Sequence, residues 1–419
     1  MNNVPRWYRF TWFLGRPPNL TADQWKLLGL VAAVSFFEQY DIYLFSLNLK
    51  QIQAELAIPE SDLGLLGALV RSGSFFALFL AIAADRYGRR LLLLVTVVGY
   101  TLFTGATALA PNAELFVVFQ FGARAFAGAE TLIAAVVIAE EFAPENRGWG
   151  IGALGALQAC GAGFAALMYG FVDLVPYGWR SLYAIGLVPL LLIAYWRKAM
   201  PETHRYQKIE HIRQPLARPV LDMFTAYPRR SYGLLAVVFA FALAAGSTAF
   251  FAPKYLQDVH GWTPAHVAML NLLGGALAVV SNPFAGWLSD RRGRRPVTMV
   301  FTAGFAVAGI GFYMLTGMFV PLLWVVMIFF VMGSDVTLTS YGTELFPTRF
   351  RSTASGFRGM VSTLAAILGL SAISGLYLIF ESNWTAVAVL CGVALVVPVM
   401  VWLVLPETAG KTLEEISPE

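Results

Sequence analysis

Charged side chains inside long apolar stretches are the residues of this sequence most able to do chemistry. Each costs about 2.5–3.5 kcal/mol in the middle of a bilayer on insertion scales, so each marks a functional site by default. A buried carboxylate can bind and release a proton, and an arginine fork can hold a carboxylate anion. The sequence offers both kinds of group, at Glu38, Asp41, Arg71, Arg124, Glu130, Asp335 and Arg358.

Five of these charges are predicted to converge near the middle of the membrane. At a rise of about 1.5 Å per residue, Asp41, Arg71 and Arg124 come about 21–25 Å from the cytoplasmic ends of their helices. Glu38 and Glu130 come slightly closer to that end, at about 16–18 Å. Because Glu38 and Asp41 are spaced i and i+3, they share one helix face.

Arg71 is the best candidate to hold an anionic substrate, since an arginine fork matches the two oxygens of a carboxylate. The alternative is that Arg71 pairs with a carboxylate of the first stretch. Tyr40, Gln158 and Asn271 are polar or aromatic groups that could face a central cavity. We therefore take them as further candidates for substrate binding.

Asp335 and Arg358 come about 13 Å and 10 Å from the cytoplasmic ends of the tenth and eleventh stretches. This placement favours a pair with a gate-like or structural role over substrate contact. The four histidines lie outside the apolar stretches or at their rims. Proton coupling would therefore use carboxylates.

Twelve apolar stretches must position these side chains. The chain is 58% hydrophobic and 13% charged, whereas soluble domains carry about 25% charged residues. A spanning helix needs about 20 apolar residues, and only helices satisfy their backbone internally over such runs. The stretches are residues 25–47, 62–84, 91–110, 114–139, 149–173, 180–198, 232–256, 264–288, 296–316, 319–343, 353–379 and 384–404.

This composition excludes soluble enzymes, nucleic-acid binders and secreted disulfide scaffolds. Cys160 and Cys391 lie far apart in apolar runs, which is typical of small buried hydrophobes and not of a disulfide or metal site. The sequence has no glycine-rich phosphate loop, so we expect neither an ATP site nor any cofactor. An intramembrane enzyme would need a deep histidine or clustered cysteines, and the sequence offers neither.

The distribution of Lys and Arg predicts that both termini are cytoplasmic. Most of the 29 cations lie before the first stretch, after even-numbered stretches or in the C-terminal tail, and the opposite loops hold only Lys50, Arg180 and Lys254. The segment before Trp25 lacks the apolar core of a cleavable signal. Its mixture of basic and aromatic residues suits a position at the membrane surface; these are Arg6, Trp7, Arg9, Trp12 and Phe13.

An internal repeat divides the chain into two halves of six stretches. The motif at 85–90 returns at 290–295, Pro-Glu-Thr at 201–203 returns at 406–408, and a Glu with a Pro three residues later occurs at 141 and again at 344. We therefore predict an all-α membrane protein of twelve helices in two pseudo-symmetric six-helix bundles. The predicted regions are a cytoplasmic segment 1–24, a bundle 25–200, a cytoplasmic linker 201–230, a bundle 231–405 and a cytoplasmic tail 406–419.

These motifs make the sequence similar to the major facilitator superfamily over nearly its whole length. Gly286-x-x-x-Asp290-Arg291-x-Gly293-Arg294-Arg295 matches that superfamily's loop signature, whereas the first copy has Ala81 at the glycine position. Arg124-x-x-x-Gly128 and the Pro-Glu-Thr tail resemble the sugar-porter and organic-ion-porter branches. Glu38-Gln39-Tyr40-Asp41 partly resembles the Asp-Gly-Tyr-Asp pattern of aromatic-acid/proton symporters. The fifth stretch lacks the Gly-Pro pair of drug/proton antiporters.

The resemblance implies roles for the charged residues. In such symporters an acidic residue of the first helix works with an arginine of the fourth, so Asp41 and Arg124 are the predicted proton-coupling residues, with Glu38 and Glu130 as further candidates. The alternative is a purely structural ion pair. The loop charges would latch the halves on the cytoplasmic side, or would only fix topology. They are Asp85, Arg86, Arg89, Glu141, Arg147, Asp290, Arg291, Arg294, Glu344 and Arg351.

The sequence therefore predicts a secondary transporter in a bacterial inner membrane, a proton symporter for a small organic anion that acts as a monomer by alternating access. Its partners would be substrate, protons and the lipid bilayer, with no nucleic acid. A neutral sugar or polyol porter is the main alternative. A uniporter, an exporter and a transporter-like sensor that binds its ligand without moving it also stay open.

Overall fold

A computed structural model of the chain describes residues 4–87, 89–197, 217–411 and 413–416, and the regular elements of this part are all helices. Three short 3-10 helices occupy Arg6–Phe10, Trp12–Leu14 and Glu60–Asp62. The α-helices are α1 Ala22–Leu47, α2 Leu49–Glu55, α3 Leu63–Tyr87, α4 Arg89–Ala108, α5 Ala113–Glu141, α6 Pro144–Tyr169, α7 Trp179–Arg197, α8 Ala217–Ala226, α9 Pro228–Val259, α10 Pro264–Arg292, α11 Arg294–Met314, α12 Val320–Glu344, α13 Thr348–Phe380, α14 Asn383–Val393, α15 Val396–Val404 and α16 Leu413–Ile416.

Local capping signals in the sequence explain where several helices begin. Thr21 and Gln24 form a reciprocal capping box before α1, and the Asn112 side chain accepts a hydrogen bond from the Leu115 amide at the start of α5. Thr263 caps α10 in the same way. Each cap satisfies an amide that the first turn of a helix leaves without a partner.

Eleven helices of the described residues are long and apolar enough to cross a membrane. The predicted sixth stretch, residues 180–198, corresponds to α7, Trp179–Arg197. The predicted twelfth stretch is split into α14 and α15, which together give one candidate span, Asn383–Val404.

The chain divides into two compact units. Unit 1 comprises Met1–Ala57 and Leu69–Ile212, and unit 2 comprises Ile58–Ala68 and Arg213–Glu419. The segment Ile58–Ala68 thus groups with unit 2, although it lies within the predicted first bundle. Glu60 explains this grouping, because its carboxylate accepts hydrogen bonds from Lys254 Nζ at 2.8 Å and from Asn383 Nδ2 at 2.9 Å.

Within unit 1, α1 packs along α6, and α4 packs along α5 and α7. A Cβ atom at Gly161 would lie 1.9 Å from the Phe36 carbonyl oxygen, so only glycine allows α6 to approach α1 this closely. This approach fixes the turn of α1 that carries Glu38 and Asp41. Within unit 2, α9 packs along α13, and α12 along both α10 and α11.

Candidate functional site

The two carboxylates of α1 lie buried on one face of the helix in unit 1. Glu38 is 6% exposed and Asp41 is 4% exposed. Tyr40, between them, points elsewhere: its hydroxyl donates to the Leu182 carbonyl oxygen of α7 at 2.8 Å. Helix α1 is therefore anchored on both sides, by α6 at Gly161 and by α7 at Leu182, and its carboxylates are held in place.

Asp41 is surrounded by neutral donors from α4. Thr104 Oγ1 donates to Asp41 Oδ2 at 2.9 Å, and the Tyr100 hydroxyl lies close enough to interact with the same carboxylate electrostatically. That hydroxyl also donates to the Phe37 carbonyl oxygen at 2.7 Å. Asp41 Oδ1 is buried without a hydrogen-bond partner. One oxygen of this carboxylate is thus left with unused capacity to bind a proton.

Arg124, on α5, attracts both carboxylates electrostatically. The described side chains of Asp41 and Arg124 nevertheless form no direct ion pair. The alternative of a purely structural Asp41–Arg124 pair therefore lacks the contact it needs. An arginine that is near but not engaged remains able to accept another anion.

Glu38 and Glu130 form a second acidic pair one turn away from Asp41. Thr131 Oγ1 donates to Glu38, Gln158 lies within hydrogen-bonding reach of it, and Glu130 is close enough to interact with it electrostatically. Glu130 is completely buried. Thr96 Oγ1 lies 2.7 Å from Glu130 Oε2. Two carboxylates are therefore buried close together at this level of unit 1.

Arg71 is the exposed cation of the cluster. It lies on α3 two residues before Gly73, where an added Cβ atom would come 2.3 Å from the Phe121 carbonyl oxygen and 3.0 Å from Arg124 Cβ. This close crossing of α3 and α5 brings Arg71 near enough to Arg124 for their charges to repel. Two neighbouring guanidinium groups, one of them exposed, are chemically suited to an anion, and they are therefore the candidate binding site.

The other candidates for substrate binding are less well placed. Tyr40 is 1% exposed, and its hydroxyl serves helix packing. Asn271, in unit 2, donates to the Val267 carbonyl oxygen of its own helix at 2.8 Å. Gln158 alone joins the cluster, through Glu38.

Sequence reasoning missed the hydroxyl groups that line the cluster: Thr96, Tyr100, Thr104 and Thr131. A threonine in an apolar stretch usually bonds its own helix backbone, so its type and spacing carry no signal. Only the packing of α4 and α5 against α1 shows that these hydroxyls face carboxylates.

The predicted gate charges of unit 2 form a network within that unit. Arg294 Nη2 lies 2.8 Å from both Asp290 Oδ1 and Glu344 Oε1, and Thr408 Oγ1 donates to Glu344 at 2.6 Å. Glu407 accepts from the amides of Arg294 and Arg295, at 2.8 Å and 3.1 Å, which places a carboxylate at the start of α11. The repeated Pro-Glu-Thr motif of the tail thus closes this network.

The remaining gate candidates are placed as follows. Asp335 and Arg358 pair at 3.4 Å, as predicted for α12 and α13. Arg291 stacks over the Trp287 ring, and Arg351 Nε donates to the Phe346 carbonyl oxygen. The Glu141 carbonyl oxygen accepts from Gln24 Nε2 at 2.6 Å. The side chains of Asp85, Arg86, Arg89 and Arg147 lie outside the described part of the structure, so the latch between the halves stays a prediction.

Two units of apolar spanning helices, one of them holding buried carboxylates beside two arginines, are the architecture of a multi-pass membrane transporter. The model of the Major Facilitator Superfamily matches residues 31–370. The chain belongs to that superfamily, and it is a transporter of small molecules and not an enzyme.

Relatives and solved structures agree with this assignment. A putative niacin/nicotinamide transporter of Bacillus subtilis is 23% identical over 83% of this chain and 87% of its own length. A 4-hydroxybenzoate transporter of Pseudomonas aeruginosa is 26% identical over 95% of this chain and 96% of its own length. The crystal structure of a D-xylose-proton symporter superposes with a TM-score of 0.77 at 17% identity, covering 92% of this chain and 98% of that one, which supports the fold alone.

Proposed function

We propose that this protein is a proton symporter that takes up a small carboxylate-bearing organic anion. One observation carries the proposal: in unit 1, Arg124 attracts two buried carboxylates without pairing directly with Asp41, and Arg71 lies exposed beside it. Such a cluster can exchange a proton for an anion, because each changes the balance of charge that the other meets.

The coupling follows from competition for Arg124. While the site is empty, Arg124 stabilises the charged form of Asp41 and Glu38. When the carboxylate of a substrate engages Arg71 and Arg124, that stabilisation is shared, and Asp41 binds a proton at its open oxygen, Oδ1. The loaded site then holds one anion and one proton, so its net charge matches that of the empty site and the low-dielectric closed state can form.

Thr96 ties the second acidic pair to α4. Thr96 Oγ1 donates to Glu130 Oε2 at 2.7 Å and also lies 3.1 Å from the Leu93 carbonyl oxygen of its own helix. Glu130 is completely buried and lies close to Glu38, so we propose these two carboxylates as further groups in the path of the transported proton.

The relatives support this proposal, since one is a putative niacin/nicotinamide transporter and another is a 4-hydroxybenzoate transporter. We further propose a bacterial inner-membrane location with cytoplasmic termini, which rests on the distribution of Lys and Arg, and a monomeric state. A neutral sugar porter would not require the exposed guanidinium of Arg71.

Uptake into proteoliposomes tests the proposal, with a panel of aromatic acids, short carboxylates and sugars offered under an imposed inward proton gradient. We expect a carboxylate to accumulate only with the gradient. Arg71→Gln should weaken its half-saturation by about 10–100-fold, as for loss of a charged hydrogen bond, and Arg71→Lys should lose less.

Arg229→Gln removes an exposed arginine far from the cluster in sequence and should behave as the wild type. Accumulation of a sugar in preference to every acid, or wild-type affinity for the acid in Arg71→Gln, would contradict the proposal.

A further inference from the structure

Residues 4–20, here called the strap, precede α1. Buried residues recur three positions apart along this segment. They include the 3-10 helices Arg6–Phe10 and Trp12–Leu14. A 3-10 helix has three residues per turn, so positions three apart share a face. Tyr8 and Thr11 form the inward face, at 7% and 8% exposed. The strap therefore packs against the rest of the protein through the face that carries Tyr8 and Thr11.

Contacts with α1 and α6 fasten the strap to unit 1. The Trp7 ring covers Gly29 of α1, where an added Cβ atom would lie 3.4 Å from Trp7 Nε1. Trp149 Nε1 of α6 donates to the Leu14 carbonyl oxygen at 3.2 Å, and the Tyr8 hydroxyl donates to the Gly15 carbonyl oxygen at 3.1 Å. The orientation of the strap is thus set by the protein, before any outside partner is considered.

The outward side of the strap is both apolar and basic. Phe10 is 85% exposed and Phe13 is 44% exposed. Arg6, Arg9 and Arg16 are also exposed, and no acidic residue occurs between positions 4 and 22. Exposure of two phenylalanine rings to water is energetically unfavourable, so this side is expected to contact an apolar environment. Positive charge without acidic neighbours attracts an anionic partner.

We propose that this outward side docks onto the anionic phospholipid surface of the membrane. The strap ends where the first spanning helix begins, at Ala22, so it lies at the boundary of the bilayer. Phe10 and Phe13 would enter the boundary between headgroups and acyl chains, while the arginines bind phosphate oxygens. This docking is independent of the transported substrate.

The docking would also steady the cytoplasmic turn between α5 and α6. Leu14 accepts from Trp149, Asn146 Nδ2 donates to the Asn19 carbonyl oxygen at 3.4 Å, and Gln24 donates to the Glu141 carbonyl oxygen. A strap pressed against the lipid holds these three contacts in place. Anionic lipid should therefore protect residues 141–149 as well as the strap itself.

Hydrogen exchange in lipid nanodiscs tests the proposal on the full chain. We expect phosphatidylglycerol, added to phosphatidylcholine, to slow amide exchange in residues 4–20 and 141–149. That slowing should shrink by about fivefold for each arginine replaced in Arg6→Gln/Arg9→Gln, the effect of one charge near an anionic surface. The charge-conserving Arg6→Lys/Arg9→Lys should keep most of it.

The control pair Arg229→Gln/Lys411→Gln removes the same net charge from exposed positions of unit 2 and should leave the protection unchanged. Equal exchange of the strap in both lipid compositions would overturn the proposal. Full protection by soluble glycerol phosphate in phosphatidylcholine discs would also overturn it, since that result defines a site for a free anion.

A second measurement reports the position of Phe10 directly. With Cys160 and Cys391 replaced by alanine, a fluorescent label on Phe10→Cys should shift to the blue and be quenched by spin-labelled lipid when phosphatidylglycerol is present. The same label on Asn19→Cys, an exposed polar position of the strap, should respond less. A label at position 10 that reports water in both compositions would overturn the proposal even if the exchange differed.

Discussion

Helices α1 and α9, the first spanning helices of the two repeats, share a way of packing. Gly161 of α6 meets the Phe36 carbonyl oxygen of α1, and Gly369 of α13 meets the Leu243 carbonyl oxygen of α9. An added Cβ atom would lie 1.9 Å from that oxygen in unit 1 and 2.0 Å in unit 2. The repeat in the sequence is therefore also a repeat in helix packing.

The polar side chains of the two helices are of different types. Helix α1 presents Glu38 and Asp41, whereas the corresponding turns of α9 carry Ser247 and Thr248. The Ser247 hydroxyl donates to the Leu243 carbonyl oxygen of its own helix, and the Thr248 hydroxyl to that of Ala244. These hydroxyls on α9 donate to carbonyl oxygens of their own helix, whereas the carboxylates on α1 accept from hydroxyls of α4 and α5. In unit 1, donors from neighbouring helices therefore surround the carboxylates of a spanning helix.

In unit 2 the Asp335–Arg358 pair lies about 10–13 Å from the helix ends, and the larger charged network lies at those ends. Arg294, Glu344 and Glu407 join the start of α11 to the end of α12 and to the tail. One copy of the scaffold thus carries a cluster of buried carboxylates, and the other carries a charged network near its helix ends. This contrast teaches that the helix packing and the loop motifs are shared between the copies, whereas the charges buried within the spanning helices are specific to each copy.

The largest effect is expected from removing the carboxylate that distinguishes α1 from α9. Asp41→Asn keeps the shape but cannot bind and release a proton, so accumulation driven by a proton gradient should fall to a ratio of about one, because nothing couples the gradient to the substrate. Counterflow, which needs no net proton movement, should persist. The measurement is uptake against counterflow in proteoliposomes.

Asp173→Asn is the matched control, since Asp173 is exposed in a turn of unit 1. It should keep the proton dependence of the wild type. Unchanged pH dependence in Asp41→Asn would show that the carboxylate that distinguishes α1 from α9 has no role in proton coupling.

A smaller effect, equal in both units, is expected from the packing glycines. Gly161→Ala and Gly369→Ala each push a methyl group against a backbone carbonyl and should destabilise the protein by about 1–3 kcal/mol, as overpacking does. Thermal unfolding in detergent measures this loss. Gly152→Ala and Gly375→Ala, where an added Cβ atom meets nothing within 4 Å, are the controls. A large loss in only one unit would break the claim of a shared scaffold.

The smallest effect is expected from removing single hydroxyl groups. It compares a hydroxyl that donates to a carboxylate with one that donates to a carbonyl oxygen of its own helix. Thr104→Val removes a donor to the charged form of Asp41. Losing that donor favours the protonated form, so the midpoint of proton-dependent uptake should move about one pH unit upward. Thr248→Val removes a hydroxyl bonded to its own helix and should leave the midpoint in place. Equal shifts in both variants would show that the hydroxyls of α4 have no special role.

Much of the fold was predictable from composition and hydrophobic runs. Lipid requires long apolar helices, so the stretches that became α1, α5 and α12 could be recognised by length alone. Interruptions of a helix were harder to predict, since the last predicted stretch is split between α14 and α15. Residues 58–68 fall in unit 2 because Glu60 binds Lys254 and Asn383, which are distant in sequence.

The charged residues of the candidate site could be predicted from the sequence. The neutral hydroxyl groups that bind them could not. The sequence by itself determined which carboxylates and arginines lie deep in spanning helices, because a charge in an apolar run is visible against its background and has a large energetic cost. The tertiary structure alone decided that Thr104 and Thr131 serve those carboxylates, and that Tyr40 serves packing. Burying a hydroxyl costs little free energy wherever it finds a hydrogen-bond acceptor. Its role therefore depends on which helix lies beside it.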